Sequence, residues 1–497
     1  MSSTLTALYH FSVKKTLFAC GMAALQSKGV CILDILEVLN EINSVLWGTP
    51  SLLLLFGTGV LLTLMLKGIQ FTRLKYAFKL GFTKEGRATV DSEGDVSNFK
   101  ALMTGLAATI GNGNIAGIAT AITLGGPGAI FWMWIVGLLG MATKYAEALL
   151  AMKYRKKNTN GEYSSGPMYY IEYGLGRKYK WLAILFAIFG AFAAFGIGNS
   201  VQSNTIASVM KDSFGVNEIV TGVILAALTA LIVFGGIQRI STVASFFVPI
   251  MAILYICGSL LILILNYDQI LPAFETIFHY AFNPVAAAGG FAGILVMDAI
   301  KNGVARGIFS NEAGLGTAAL IAGNAKTDHP VKQALVAMTG TFIVTIIVCT
   351  MTGLVLIITG FWDTTGGLLS GVAHDPALEG GALTSAAFAS VLGTAGEYIV
   401  AFSVIFFGFS TIVGWYVYGE KCFEYIVGTK GIMSYRAIYI LACGIGAAAN
   451  LTTVWAFADM ANALMMIPNL IGLILLRKVI VADTEDFFAN HYNKTVK

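Results

Sequence analysis

Thr109-Ile110-Gly111-Asn112-Gly113-Asn114-Ile115-Ala116-Gly117 interrupts an apolar stretch that covers residues 98–123. Three glycines and two asparagines weaken a helical hydrogen-bond ladder at this point, and freed backbone groups cannot stay unpaired in lipid. They must line something polar. A helix broken at membrane depth offers carbonyl oxygens to a cation at the end of one half, and N–H groups to a carboxylate at the start of the other. Close helix packing through small residues is the plainer reading, and Gly113 and Gly117 have its spacing. The two asparagines beside them favour a site. Gly111-Asn112-Gly113 followed by Gly117 also imitates a dinucleotide-binding loop, but the strand and soluble βαβ unit that such a loop requires are missing.

The rest of the chain places this motif in a membrane. Of 497 residues, 57% are hydrophobic and only 12% charged, with 56 glycines and a mean hydropathy of +0.76. A soluble domain of this length would carry more charge on its surface. Segments able to cross a hydrocarbon core of about 30 Å, which takes roughly 20 helical residues, recur throughout. They fall near 49–66, 98–123, 128–152, 181–209, 218–236, 241–265, 285–304, 334–359, 397–418, 437–455 and 457–476, which makes eleven. The expected fold is an all-α polytopic membrane protein.

Basic residues accumulate on the cytoplasmic side of membrane proteins. The loop 67–100 holds Lys67, Arg73, Lys75, Lys79, Lys84, Arg87 and Lys100, and the loop 153–180 is equally basic. With eleven crossings, Arg239, Lys301, Arg306, Lys326, Lys332, Lys421, Lys430, Arg436, Arg477 and Lys478 fall on that same side, while the opposite loops keep little beyond Lys211. The expected topology is multi-pass in a bacterial-type inner (plasma) membrane, with the N-terminus outside and the C-terminus cytoplasmic. Residues 1–40 form an extension whose Lys14-Lys15 and short apolar run resemble a weak signal segment or a non-native start, translation from Met22 being the other reading. The scattered cysteines Cys20, Cys31, Cys257, Cys349, Cys422 and Cys443 show no metal-binding or disulfide spacing.

A second interruption, Gly289-Gly290-Phe291-Ala292-Gly293, stands five crossings after the first. Two broken helices at matching positions of two five-helix halves mark an inverted-repeat transporter with its site at the midplane. The expected organisation is an extra transmembrane helix and cytoplasmic loop over 41–97, a first repeat over 98–266, a second over 267–478, and a cytoplasmic tail over 479–497. Farther along, Ser410-Thr411 bring adjacent hydroxyls together with the Phe407 carbonyl one turn earlier. These are hard neutral ligands suited to sodium, although such hydroxyls also bond back to their own helix.

Five runs then show a resemblance that covers about residues 40 to 480. They are Gly111–Gly117, Gly125-Gly126-Pro127-Gly128-Ala129-Ile130-Phe131-Trp132-Met133-Trp134, Gly166-Pro167-Met168-Tyr169-Tyr170, the stretch from Gly303 to Gly316 with Ser310-Asn311-Glu312-Ala313-Gly314, and Gly414-Trp415-Tyr416-Val417-Tyr418-Gly419-Glu420-Lys421. In these the chain resembles the alanine or glycine:cation symporter family. The resemblance implies a leucine-transporter-like fold with one helix ahead of a five-plus-five inverted repeat. It also implies substrate between the first and sixth core helices and sodium between the first and eighth. Many relatives carry a threonine where Asn112 stands.

The expected activity is therefore sodium-coupled symport of alanine or glycine, with no catalytic residues and no organic cofactor. Thr109, Gly111, Asn112, Gly113, Asn114, Gln202, Gly290, Phe291 and Trp415 are the candidate substrate residues. The backbone of 111–114 and the Asn114 side chain would hold the amino acid, and Phe291 and Trp415 would wall its side chain. Gln202 would contact its charged groups or else bond to Asn199 or Asn204. Sodium would take Ser410, Thr411, the Phe407 carbonyl and main-chain oxygens of Ala108 and Gly111. Arg306 to Gly316 reads as a gating or capping loop on the basic side, and Lys144 with Glu147 as a structural pair near the cytoplasmic end. Proton coupling needs an ionisable group deep in the membrane; His10, His279, His329, His374 and His491 all fall in loops or termini, and Asp298, Lys301 and Glu397 near span ends, which favours sodium. A channel would need charged rings and an enzyme a nucleophile or metal cluster, and neither pattern is present. Membrane lipid and a small neutral amino acid are the expected partners, with no nucleic acid and the oligomeric state open.

Overall fold

A computed structural model describes residues 28–83, 93–284, 295–362, 380–449 and 451–492. Helices dominate. In chain order they include α1 (Lys28–Leu46), α2 (Thr49–Met65), α3 (Asn98–Thr109), α4 (Ala116–Gly125), α5 (Gly128–Tyr154), α6 (Pro167–Leu175), α7 (Lys180–Phe195), α8 (Val201–Phe214), α9 (Glu218–Val233) and α10 (Gly236–Leu265). Then come α11 (Ile270–Phe282), α12 (Val296–Asn311), α13 (Thr317–Ala322), α14 (Pro330–Thr341), α15 (Thr350–Ile358), α16 (Gly380–Leu392), α17 (Thr394–Val427), α18 (Ile432–Gly446) and α19 (Leu451–Asp486). A π-helical turn, Gly196–Ser200, joins α7 to α8, and another, Phe342–Cys349, joins α14 to α15.

Among the described residues, six helices are long and apolar enough to cross a bilayer, and a seventh is obtained if α1 and α2, bent by 46° at their junction, are taken as one. Their burial is inside out relative to a soluble protein. Leu64 and Ile445 are each 72% exposed, while Glu147 is 0% exposed. Large apolar side chains turned outward on several helices, with carboxylates inside, fit a hydrocarbon solvent and not water.

The predicted segments correspond to observed helices except at three places. The stretch 285–304 starts outside the described residues, and the observed α12 continues to Asn311, about two turns farther. The boundary between the last two segments moves from residue 456 to 447–450, so α18 ends at Gly446 and α19 runs unbroken past Pro468. Helices α1, α6, α11, α13 and α16 lie outside the eleven expected segments, and of these α6, α11, α13 and α16 are each shorter than a span.

One end of the bundle is tied by short pairings. Val96–Ser97 and Ala325–Lys326 run parallel with Val96 opposite Ala325, and Lys156–Lys157 pairs antiparallel with Tyr163–Ser164. Arg155 donates to the carbonyls of Gly323, Ala325 and Glu93 at 2.9 to 3.0 Å and stacks on Tyr163 at 4.1 Å. Tyr163 also donates to the Glu93 carboxylate, and that bond, followed by Lys157, holds the Glu93 carboxyl below its ordinary value. At the opposite end a cavity of about 500 Å³ opens between α4, α8, α16, α17 and α19. Arg306 lines it together with Asp212 and Glu397. This corrects the expected placing of Lys301 and Arg306. Helix α12 runs from the cavity end toward Ala325–Lys326, so both residues lie before the midpoint of the crossing and on the side away from the basic loops. Its N-terminal part meets the end of α4, where a Cβ added at Gly125 would come within 3.0 Å of Asn302 and of the Asp298 carbonyl.

Candidate functional site

The helix broken at 110–115 forms the first part of the site. α3 stops at Thr109; Ile110 turns to ψ +85°, Gly111 is extended, Asn112–Asn114 make a single 3-10 turn, and α4 starts at Ala116. Asparagine 114 holds this geometry. Its Nδ2 donates to the carbonyls of Thr109 (2.8 Å) and Gly111 (3.1 Å), its Oδ1 accepts from Ser310 Oγ and from Cys349 Sγ (3.1 Å), and its main-chain oxygen accepts from Thr352 Oγ1 (2.8 Å). The Asn112 N–H donates to Gln202 Oε1 at 3.1 Å, and Gln202 Nε2 donates to the Ile197 carbonyl in the π turn at 2.9 Å. The side chain of Asn112 is fully buried, yet among the described residues neither its Oδ1 nor its Nδ2 has a hydrogen-bond partner. Phe309 packs so closely under Gly113 that an added Cβ would lie 2.5 Å from its ring, which restricts this position to glycine.

Beside the break, α17 presents Ser410 and Thr411. Ser410 Oγ lies 3.2 Å from the Ala107 carbonyl and 2.9 Å from that of Phe407, and Thr411 Oγ1 lies 3.1 Å from Ala107 O and 3.5 Å from Ile110 O. Two hydroxyls and three carbonyls therefore converge. No charged group takes part, so the set could hold a small hard cation without a fixed countercharge.

A second interruption separates α12 from α13. Glu312 adopts φ +59°, and Gly314 and Gly316 adopt φ +93° and +81°, so the chain turns through a left-handed region that favours glycine. Glu147 of α5 accepts the N–H groups of Gly314 and Gly316, each at 3.0 Å, and Asn469 Nδ2 at 2.7 Å. Lys144 donates to the Asn311 carbonyl at 2.9 Å, and Trp415 Nε1 donates to Glu312 Oε1 at 2.6 Å. Between this region and the cavity, Phe309 packs against Trp455 with centroids 4.7 Å apart and the rings tilted by 34°, and Arg306 pairs with Asp459 at 3.0 Å.

The sodium:alanine symporter family model matches residues 33–497. The chain belongs to that family. It is 52% identical over 460 residues to the sodium/alanine symporter AgcS of Methanococcus maripaludis, covering 92% of this chain and 98% of that protein. An uncharacterized transporter of Haemophilus influenzae is also 52% identical, over 464 residues, with the same coverage. Among solved structures, a manganese transporter of Eremococcus coleocola aligns over 82% of this chain and 93% of that chain, at 15% identity and a TM-score of 0.49. As a member of the symporter family with several apolar helices, the chain is a multi-pass membrane protein.

Within this family member, the fold gathers Thr109, Gly111, Asn112, Gly113, Asn114, Gln202, Phe407, Ser410 and Thr411 around the first break. Gly290 and Phe291 lie outside the described residues, together with the whole Gly289–Gly293 interruption. Several expected roles change. The carbonyls that Ser410 and Thr411 face are those of Ala107 and Ile110, and not those of Ala108 and Gly111, because the last helical turn of α3 directs its unpaired oxygens one residue earlier. Asn114 has no polar atom left for a ligand. Gln202 bonds to neither Asn199 nor Asn204, which donate instead to the carbonyls of Tyr439 and Ala449. Trp415 turns toward Glu312. Thr109 Oγ1 bonds back to Gly105 O at 3.0 Å.

Other corrections concern the run from Arg306 to Gly316 and the buried charges. The run is the second helix break itself and not a loop at the basic end. Lys144, Glu147 and Glu312 are buried beneath it, so the expectation that no ionisable group lies deep in the chain fails. Lys144 and Glu147 bind the two sides of the turn and do not pair with each other. The signal for this was present in the sequence, since Ser310-Asn311-Glu312-Ala313-Gly314-Leu315-Gly316 has the same mixture of glycines and polar residues as the first break. Ending the preceding helix at residue 304 placed it outside the membrane.

Proposed function

We propose that this chain carries alanine, or another small neutral amino acid, into the cell together with sodium by alternating access. Eleven crossings, an inverted repeat of five plus five helices after one extra helix, an outside N-terminus and a cytoplasmic C-terminus complete the reading. The observation that carries it is the convergence of the Ala107, Ile110 and Phe407 carbonyls with Ser410 and Thr411 beside an uncharged helix break. Sodium binds there when the two hydroxyl protons rotate away from the carbonyls. The relative AgcS, a sodium/alanine symporter, supports the choice of ion and substrate.

The amino acid sits on the other side of the break. Its carboxylate takes the first-turn amides of α4, which lack intrahelical acceptors and carry the positive end of the helix dipole. Asn112, whose side-chain donor and acceptor have no partner among the described residues, serves its charged groups. Phe309 limits the side chain to a small one. The neutral groups around the break, Asn112, Gln202, Ser310 and Thr352, provide no counterion for a charged side chain, which selects for a zwitterion of zero net charge. Both ligands stabilise one arrangement of the same backbone segment, so each raises the affinity for the other.

Passage requires two closures in turn. On the cavity side, Phe309 against Trp455 and Arg306 against Asp459 separate the open space from the break. On the other side, the parallel pairing of Val96–Ser97 with Ala325–Lys326 keeps the ends of α3 and α13 together. Purified protein in proteoliposomes should accumulate alanine only under an inward sodium gradient, and collapse of the pH gradient should leave uptake intact. Uptake indifferent to sodium would overturn this reading. Counterflow with saturable kinetics would exclude a pore.

A further inference from the structure

Three ionisable side chains meet at the second break, and their charges do not balance. Lys144, Glu147 and Glu312 are 5%, 0% and 1% exposed, and all three address residues 311–317. One ammonium faces two carboxylates. Among the described residues, the other titratable groups facing them are the phenols of Tyr170, beside Glu147, and Tyr418, beside Glu312. Neither phenol supplies positive charge. An excess negative charge in an apolar interior is strongly disfavoured, and the group neutralises instead.

The hydrogen bonds say which carboxyl is neutral. Glu147 Oε1 accepts three N–H donors, from Gly314, Gly316 and Asn469, and such a set stabilises the anion. Glu312 Oε1 accepts one, from Trp415. Among the described residues the Oε2 atoms of Glu147 and Glu312 are both buried without a hydrogen-bond partner, but Glu312 alone has hydroxyls directly beside its carboxyl, those of Thr317 and Tyr418, and a hydroxyl oxygen can accept as well as donate. A proton on Glu312 Oε2 therefore finds an acceptor in the Thr317 oxygen, whereas Glu147 is met by N–H groups, which cannot accept one.

We propose that Glu312 is a proton-binding site, its Oε2 carrying one exchangeable proton directed at the Thr317 hydroxyl, and that the carrier cycles only while this proton is bound. Protonation takes one proton from water and leaves the cluster neutral, with Lys144 positive, Glu147 negative and Glu312 uncharged. Loss of that proton sets two carboxylates against one ammonium at a turn held in the left-handed region, and the turn repacks. The rate part of the test rests on the symport reading; the occupancy part does not.

Infrared spectra of the purified full chain between pH 6 and pH 9, taken as wild type minus E312Q, should show the carbonyl stretch of one protonated carboxyl. It should vanish in a single-proton step as pH rises. The band should shift in T317V, and its midpoint should fall to lower pH in E147Q, where a single carboxylate is left to balance the ammonium. With equal pH inside and outside, sodium-driven alanine uptake by wild type should fall about tenfold per pH unit above the midpoint, as one titrating group requires, and E312Q should be flat. A band retained in E312Q, or a wild-type pH profile in that variant, overturns the proposal. Should E312Q fail to fold, an unshifted band in T317V overturns it. Sodium-independent uptake would sink the symport reading and leave the band in place, so the two failures are distinguishable.

Discussion

The two helix breaks solve the same problem with different chemistry. At residues 110–115 the freed backbone is held by amides and hydroxyls alone: Gln202 takes one N–H, Asn114 bridges two carbonyls, and Ser410 with Thr411 reach the oxygens of Ala107 and Ile110. At 312–316 it is held by charges, Glu147 on the N–H side and Lys144 on the carbonyl side. A protein carboxylate and ammonium already occupy the second break, in the places where cargo could otherwise bind. The first is left with neutral partners that an ion and a zwitterion can replace at low cost. One break is a clamp and the other a binding site.

Removing the clamp should have the largest effect. Glu147→Ala leaves the two buried N–H groups of Gly314 and Gly316 without their acceptor, leaves Asn469 Nδ2 only the Gly314 carbonyl, and leaves Glu312 as the one carboxylate facing Lys144. Such a loss costs about 3–5 kcal/mol, and the thermal midpoint in detergent should drop with it. A variant melting like wild type would show that the turn holds itself, and the contrast between the breaks would fail.

Changes at the neutral break should act on ligands more than on stability. Thr411→Ala removes one oxygen from the proposed ion set, so half-saturation by sodium should rise about tenfold, equivalent to about 1.4 kcal/mol. Alanine affinity at saturating sodium should change little. Asn114→Ala, by contrast, should weaken both ligands together, because the asparagine shapes the segment they share. Identical sodium and alanine titrations in the two variants would erase this division.

The smallest effect on stability belongs to Asn112→Ala. Among the described residues neither side-chain polar atom of Asn112 has a partner to lose, so the stability should stay within about 0.5 kcal/mol of wild type, while calorimetry should show weaker alanine binding. Unchanged binding would remove Asn112 from the site and leave its buried amide without a purpose.

The first break could be read from residue order alone because its cause is local. Gly111-Asn112-Gly113-Asn114 cannot continue an apolar helix, and the Ser410-Thr411 pair gives its hydroxyls by helix periodicity wherever the helix lies. Membrane class follows just as directly from composition, since an apolar chain with 12% charge has no other way to cover itself. What faces what was decided only by packing. The ion-facing carbonyls moved from Ala108 and Gly111 to Ala107 and Ile110, because the phase of a helix end against its neighbour depends on contacts hundreds of residues away. Glu147 and Lys144 looked like a local pair, but each found its partner about 167 residues farther along the chain. Sequence spacing fixes which groups share a helix face; only the tertiary arrangement decides whether a buried charge meets a backbone dipole, another charge or a cargo.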